Sequence, residues 1–137
     1  MKQIEIMAPA GSYESLHAAI NAGADSVYFG AGKLNMRSRS SYNFSVLDIG
    51  VVADICRKKG VKSYLTLNTL IYDEDIETAT EILKAAKDAD ISAVIASDIS
   101  IIQMAYGLGL SVHISVQANV CNIEAVRFFS KFADVIV

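Results

Sequence analysis

A chain of 137 residues, 53% hydrophobic and 20% charged with a single proline, has room for one hydrophobic core and too much apolar content for disorder. Its formal net charge of -3, from 12 Lys and Arg against 15 Asp and Glu, supplies no broad basic field that would hold a phosphate backbone unaided. Cys56 and Cys121 lack metal-ligand spacing and read as reduced thiols, and no stretch reaches the roughly 18 apolar residues of a membrane helix, so a cytoplasmic protein with no membrane attachment is expected.

Short β-branched runs alternate with longer segments of helical period along the whole chain, the signature of repeated βα units and a parallel sheet. Residues 3–7 read as the first strand. Ser12 then caps a helix with Leu16, Ala19, Ile20 and Ala22 on its buried side, and Gly23 is its left-handed stop. The second strand is expected over residues 25–29, followed by a long irregular stretch, residues 31–44, and a helix over about 45–59 that stops at Gly60. Residues 61–67 form the third strand. The acidic turn Asp73, Glu74 and Asp75 opens the next helix, where negative charge complements the positive helix end. Strands at 92–96 and 111–116 are each followed by a helix, over about 98–106 and 122–131. Residues 134–137 then begin a sixth strand. The expected fold is α/β, a parallel TIM-type barrel, incomplete, with about five βα units plus that strand. Residues 1–137 would be the N-terminal part of a single barrel domain, truncated, and its open edge is expected to drive self-association.

Alternation divides each strand between side chains packed on helices and side chains facing the barrel axis. Ile4, Ile6 and Ala8 are assigned to the helices, and Glu5 and Met7 to the axis. Leu65 and Leu67 pack outward while Tyr64, Thr66 and Asn68 face in, joined by Tyr28. The alternation extends over eight residues in the fifth run, placing Ile114, Val116, Ala118 and Val120 outward and His113, Ser115, Gln117 and Asn119 inward. Each buried polar group left unpaired costs about 1 to 3 kcal/mol, so this set closes on itself, with Glu5 accepting from Tyr64 or His113, holds water, or meets a ligand. Asn68, Thr69, Asp98, Gln117 and Asn119 sit at strand ends, where barrel enzymes place their binding groups. The loop after the second strand adds Lys33, Arg37 and Arg39, cations suited to a carboxylate or phosphate. If extended, it puts Asn35, Arg37 and Arg39 on one side. The candidate substrate-binding set is therefore Arg37, Arg39, Asn68, Asp98, Gln117 and Asn119, with Glu5, Tyr28, Tyr64, Thr66, His113 and Ser115 as interior polar groups. The turn at residues 8–12 offers backbone donors to an anion. It has neither nucleotide-binding glycine pattern, and no catalytic nucleophile is assigned.

Several motifs stand in order: Met7-Ala-Pro-Ala-Gly-Ser, Ala22-Gly-Ala-Asp-Ser-Val-Tyr-Phe-Gly, Leu34-Asn-Met-Arg-Ser-Arg, Tyr64-Leu-Thr-Leu-Asn-Thr-Leu, Ala96-Ser-Asp and His113-Ile-Ser-Val-Gln-Ala-Asn. Together they cover nearly the whole chain, which resembles the collagenase-like peptidases, the thirty-second family among peptidases of unknown catalytic type. The resemblance implies an N-terminal barrel followed in full-length members by a cysteine-bearing segment, and a peptidase, that is a hydrolase acting on peptides. Relatives take part in oxygen-independent hydroxylation of transfer RNA, ribosomal RNA or the ubiquinone ring, so an RNA substrate is the second reading the resemblance implies. Several of them bind an iron-sulfur cluster through the downstream cysteines. Neither Cys56 nor Cys121 matches those ligands, so no cofactor is expected in this segment.

Overall fold

The computed structural model describes residues 4–36, 38–39 and 43–137. Its elements follow in chain order as β1 (Met7–Pro9), α1 (Tyr13–Asn21), β2 (Ser26–Gly30), α2 (Asp48–Lys58), β3 (Lys62–Leu67), α3 (Ile76–Asp88), β4 (Ala93–Ala96), α4 (Ile99–Gly107), β5 (Val112–Ile114), α5 (Ile123–Phe129) and β6 (Val135–Ile136). The six strands form one sheet in sequential order, and every adjacent pair is parallel. A parallel neighbour can be reached only by a crossover, and the helices supply it. The result is a half-barrel of parallel strands coated by helices on one face.

Alternation sets which face is coated. Val27, Phe29, Leu65, Leu67, Val94, Ala96, Val112 and Ile114 share one buried cluster with Leu16, Ile49, Val52, Ile82, Leu83 and Ile101 from the helices. Tyr64, Ala93 and Ile95, with Tyr28 against them, form a separate cluster on the opposite, axis-facing side. Capping fixes where the helices begin. Ser12 accepts from the Ser15 N–H at 3.2 Å, Asp98 from Ser100 at 2.9 Å and Asn122 from Ala125 at 2.9 Å, each satisfying a donor the helix itself leaves free. Gly23, at φ +91°, turns the chain out of α1 in the left-handed region that disfavours other residues.

Two strand expectations are corrected. The first strand was placed over residues 3–7 but begins at Met7; residue 3 lies outside the described residues. Asp25 interrupts the run by accepting the Ile6 N–H on its carboxylate at 2.8 Å. Ile4 and Ile6 are consequently exposed, at 84% and 61%, instead of lying under helices. The fifth run does not alternate for eight residues. β5 ends at Ile114 because the Ser115 hydroxyl accepts from the Gln117 N–H at 3.3 Å and starts a 3-10 turn, Val116–Ala118, closed by Asn119 at φ 52°. Val116 is 58% exposed, not covered, and Gln117 and Asn119 are exposed turn residues, not a continuation of the inward row.

Phe29 is fully buried at the centre of the coated face, edge-on to Phe44 at 5.6 Å. Phe29→Ala is expected to cost about 3 to 5 kcal/mol through lost transfer energy and the cavity left behind, read as a lower midpoint in urea denaturation.

Candidate site at the strand C-terminal ends

The loops after β2, β3, β4 and β5 meet at the C-terminal edge of the sheet around a cleft of about 370 Å³ lined by Met36, Asn68, Thr69, Leu70, Tyr72, Ser97 and Gln117. Asn68 and Gln117, drawn from the candidate set, therefore line one cleft. Asn68 also ties the loops together, its Oδ1 accepting from the Met36 N–H at 3.2 Å. The Thr69 Oγ1 is buried and has no hydrogen-bond partner among the described residues. Met36, Leu70 and Tyr72 are 60%, 75% and 65% exposed, so the polar floor is ringed by large side chains the core does not use. Neither Met36, Leu70, Tyr72 nor Ser97 belonged to the candidate set. They lie on irregular segments, where no periodicity marks a face.

The other candidates fall elsewhere. Burial pushes the Asp98 carboxyl up, but the Ser100 and Ile71 hydrogen bonds outweigh it and hold the group below its usual range. Its Oδ1 accepts from the Ser100 N–H and hydroxyl, and its Oδ2 from the Ile71 N–H, so this side chain holds α4 and the β3 loop in place. Asn119 is exposed beyond the 3-10 turn and does not line the cleft. Arg39 and Lys33 are exposed, and Arg37 lies outside the described residues.

The described part of the loop after β2 is not extended at Asn35. It is closed at its base by a parallel bridge between Ala31 and Phe44 and by the Asn43 Nδ2 donating to the Gly32 carbonyl at 2.6 Å. Asn35 is wholly buried and donates to the Gly32 carbonyl at 3.2 Å, so it does not share a binding side with Arg39. It packs so tightly on Gly30 that a Cβ there would stand 2.3 Å from its Oδ1, and only glycine permits that approach. The turn at residues 8–12 likewise has no free donors for an anion at Gly11 and Ser12. Both N–H groups donate to the Ser15 hydroxyl at 3.0 Å.

The axis side carries a second polar group, toward the strand N-terminal ends. The Glu5 carboxylate accepts from the Tyr64 hydroxyl at 2.6 Å and from the Lys62 ammonium at 2.6 Å, and the Tyr64 ring lies 4.8 Å from that of His113. The Lys62 and Tyr64 hydrogen bonds bring the Glu5 carboxyl down to about 2. Burial lowers the pKa of His113, against the opposing pull of Asp134 and Glu5. Thr66 donates to the Phe29 carbonyl at 3.1 Å, Ser115 is buried in its capping role, and Tyr28 packs beside Tyr64. This layer is largely occupied with itself.

An iron-sulfur cluster needs several converging thiolates, and these residues do not fit one. Cys56 is buried within the core, and desolvation pushes its thiol up to about 11. Cys121 is exposed and donates to the Asn119 carbonyl at 3.1 Å. Among the described residues no group of three or more His, Cys, Asp or Glu is placed to hold a metal ion, and no helix is long and apolar enough to cross a membrane.

Helix-coated parallel strands in sequential order, with a polar cleft where their C-terminal ends meet, place the molecule among the parallel β/α-barrel proteins. Within that class the chain belongs to peptidase family U32, whose sequence model matches residues 11–137. It is 58% identical over 137 residues to a collagenase of Porphyromonas gingivalis, covering all of this chain and 33% of that protein. It is 33% identical over 132 residues to tRNA hydroxylation protein P1 of Bacillus subtilis, covering 95% of this chain and 31% of that protein. A solved U32 peptidase structure superposes with a TM-score of 0.79 at 15% identity, over 98% of this chain and 57% of that one. The chain thus spans about a third of the length of these curated relatives.

The Glu5 contacts generate a pH dependence of known sign. A carboxyl whose folded pKa lies below its unfolded value contributes stability that is complete above the unfolded value, about 4.3, and is lost as pH falls through the folded value, about 2. Glu5→Gln is therefore expected to unfold at lower urea concentration than the parent at pH 7. The gap should close between about pH 4.5 and pH 2; a gap independent of pH would show that the ion pair is not its source.

Proposed function

We propose that this chain is the substrate-binding part of a peptidase, one portion of an eight-stranded TIM-type barrel whose cleft receives a peptide at the C-terminal ends of its strands. The observation that carries the reading is the cleft itself, where Asn68 and Gln117, on loops from different strands, meet around one volume. Carboxamides suit this task because they hydrogen-bond a peptide without the desolvation cost of a charge, Gln117 through both its oxygen and its amide and Asn68 through its amide, its oxygen being held by the Met36 N–H. The likeness to a collagenase at 58% identity points to the same substrate class. Arg39, with Arg37, Asp98 and Asn119, belongs to the wider binding surface in this reading, with Asp98 acting through the loop it holds.

A second reading is a recognition module for RNA modification, with any cluster chemistry carried by cysteines outside this segment. The 33% identity to a tRNA hydroxylation protein favours it. The acidic net charge, -3, gives it little electrostatic help, since nonspecific RNA affinity is built mainly on phosphate contacts.

Hydrolysis of a fluorogenic peptide mixture separates the two. In the peptidase reading the whole barrel protein that carries this chain cleaves it, this portion alone being inactive, and Gln117→Ala lowers kcat/KM by about tenfold, the loss of one or two hydrogen bonds to substrate. Salt-sensitive retention of RNA with no hydrolysis would replace this reading with the second.

A further inference from the structure

Glycine closes β2 at a position where the alternation calls for an axis-facing side chain. Val27 and Phe29 lie in the helix-covered core and Tyr28 on the axis side, so position 30 is the next of the axis-facing row. Gly30 brings no side chain to it, and another residue fills the space. A Cβ built on Gly30 would stand 2.3 Å from the Asn35 Oδ1, 2.4 Å from its Cγ and 2.8 Å from its Nδ2, so the Asn35 carboxamide sits where the missing side chain would be. Gly30 pairs with Thr66 on β3, and Asn68 follows two residues after Thr66. A loop residue thus folds back to complete a strand's inward row just beneath the cleft.

Hydrogen bonds hold it there. The Asn35 Nδ2 donates to the Ala31 carbonyl at 3.4 Å and to the Gly32 carbonyl at 3.2 Å, which ties Asn35 to the first residues after β2. The next amide, that of Met36, donates to the Asn68 Oδ1 at 3.2 Å, and Met36 and Asn68 both line the cleft. From this we infer that Asn35 is a positioning residue of the cleft. Seated in the slot that Gly30 leaves, its carboxamide fixes the Met36 peptide on Asn68 and so sets the wall where the loops after β2 and β3 meet. Asn35 is wholly buried and acts on a substrate only through the residue it places. A wall that is not held in advance must be ordered when the ligand arrives, and that ordering is subtracted from the affinity. The inference rests on the cleft being the peptide site and adds what keeps it in shape.

Three variants of the whole barrel protein that carries this chain test the assignment. The readouts are amide exchange at Met36, resolved by mass spectrometry of overlapping fragments, and steady-state kinetics on the fluorogenic peptide that the parent cleaves best. Asn35→Ala is expected to raise Met36 exchange and KM by about fivefold each, the worth of one hydrogen bond. Its kcat should stay within about twofold of the parent, because what is lost is binding alone. Gly30→Ala drives the carboxamide from its slot and should give the same two changes with a larger fall in the urea midpoint. Gly30→Ala combined with Asn35→Ala puts a methyl group in the emptied slot, so the urea midpoint should recover relative to Gly30→Ala while exchange and KM stay raised. Met36 exchange at the parent rate in Asn35→Ala, or a fall in kcat with KM unchanged, would overturn the inference. So would a double variant whose KM returns to the parent value, since filling the slot would then be the whole role. Failure of the peptidase reading looks different. The parent then cleaves no peptide, and Met36 exchange alone decides, raised in Asn35→Ala and in the double variant if Asn35 places that peptide and unchanged if it does not.

Discussion

Everything in this molecule hangs on the burial of one face of a parallel sheet beneath helices. A parallel strand needs a crossover to reach its neighbour, and the crossover helices must cover the face they pass over. That commits Val27, Phe29, Leu65, Leu67, Val94 and Ile114 to the core, and with them the position of every alternate side chain on the opposite face. Axis-facing residues are thereby freed from packing on helices, which explains how Tyr28, Tyr64, Thr66 and His113 sit on the same strands as an aliphatic core.

Polar groups on the axis side divide by height. Near the strand N-terminal ends Glu5, Lys62 and Tyr64 satisfy one another at hydrogen-bond distance, and a closed set of this kind positions structure and leaves little for a ligand. Near the C-terminal ends the strands give way to loops, whose side chains have fewer partners within the fold. The Thr69 hydroxyl there has no partner among the described residues, and the Asn68 oxygen is spent on holding the β2 loop through Met36. The difference follows from connectivity. After β2, β3 and β5 the chain opens into stretches, residues 31–47, 68–75 and 115–122, long enough to present side chains, while at the other end turns of three to five residues deliver it from a helix into the next strand.

The parallel architecture was legible in the sequence because alternation and helical period are both set by local geometry, and glycine stops such as Gly23 and the capping Ser12 mark the joints. What escaped was decided by single side chains reaching across. Asp25 captures the Ile6 N–H and Ser115 captures that of Gln117, each ending an apolar alternation that continues in the sequence. Asn35 reads as a residue in an extended strip with Arg39, but its carboxamide is drawn inward because Gly30 leaves room for it and the Gly32 carbonyl accepts from it. Hydroxyls and carboxamides can always bond to the backbone instead of following the pattern of the run. The cleft was legible only at Asn68, Thr69 and Gln117, which sit at strand ends, and not at Met36, Leu70 or Tyr72, whose exposure depends on loop paths.

The same competition explains why the turn after β5 carries the candidate site despite breaking the strand. Had the alternation run on, Gln117 would have continued the inward row of His113 and Ser115. By stopping β5 at Ile114 and winding Val116–Ala118 into a 3-10 turn, Ser115 lifts Gln117 to the rim, where it shares a cleft with Asn68 and Thr69. Capping of this kind is worth roughly 1 kcal/mol to a helical turn, a small contribution to stability. Its larger effect is geometric, because it takes Gln117 out of the axis-facing row and puts it on the loop that lines the cleft with Asn68 and Thr69.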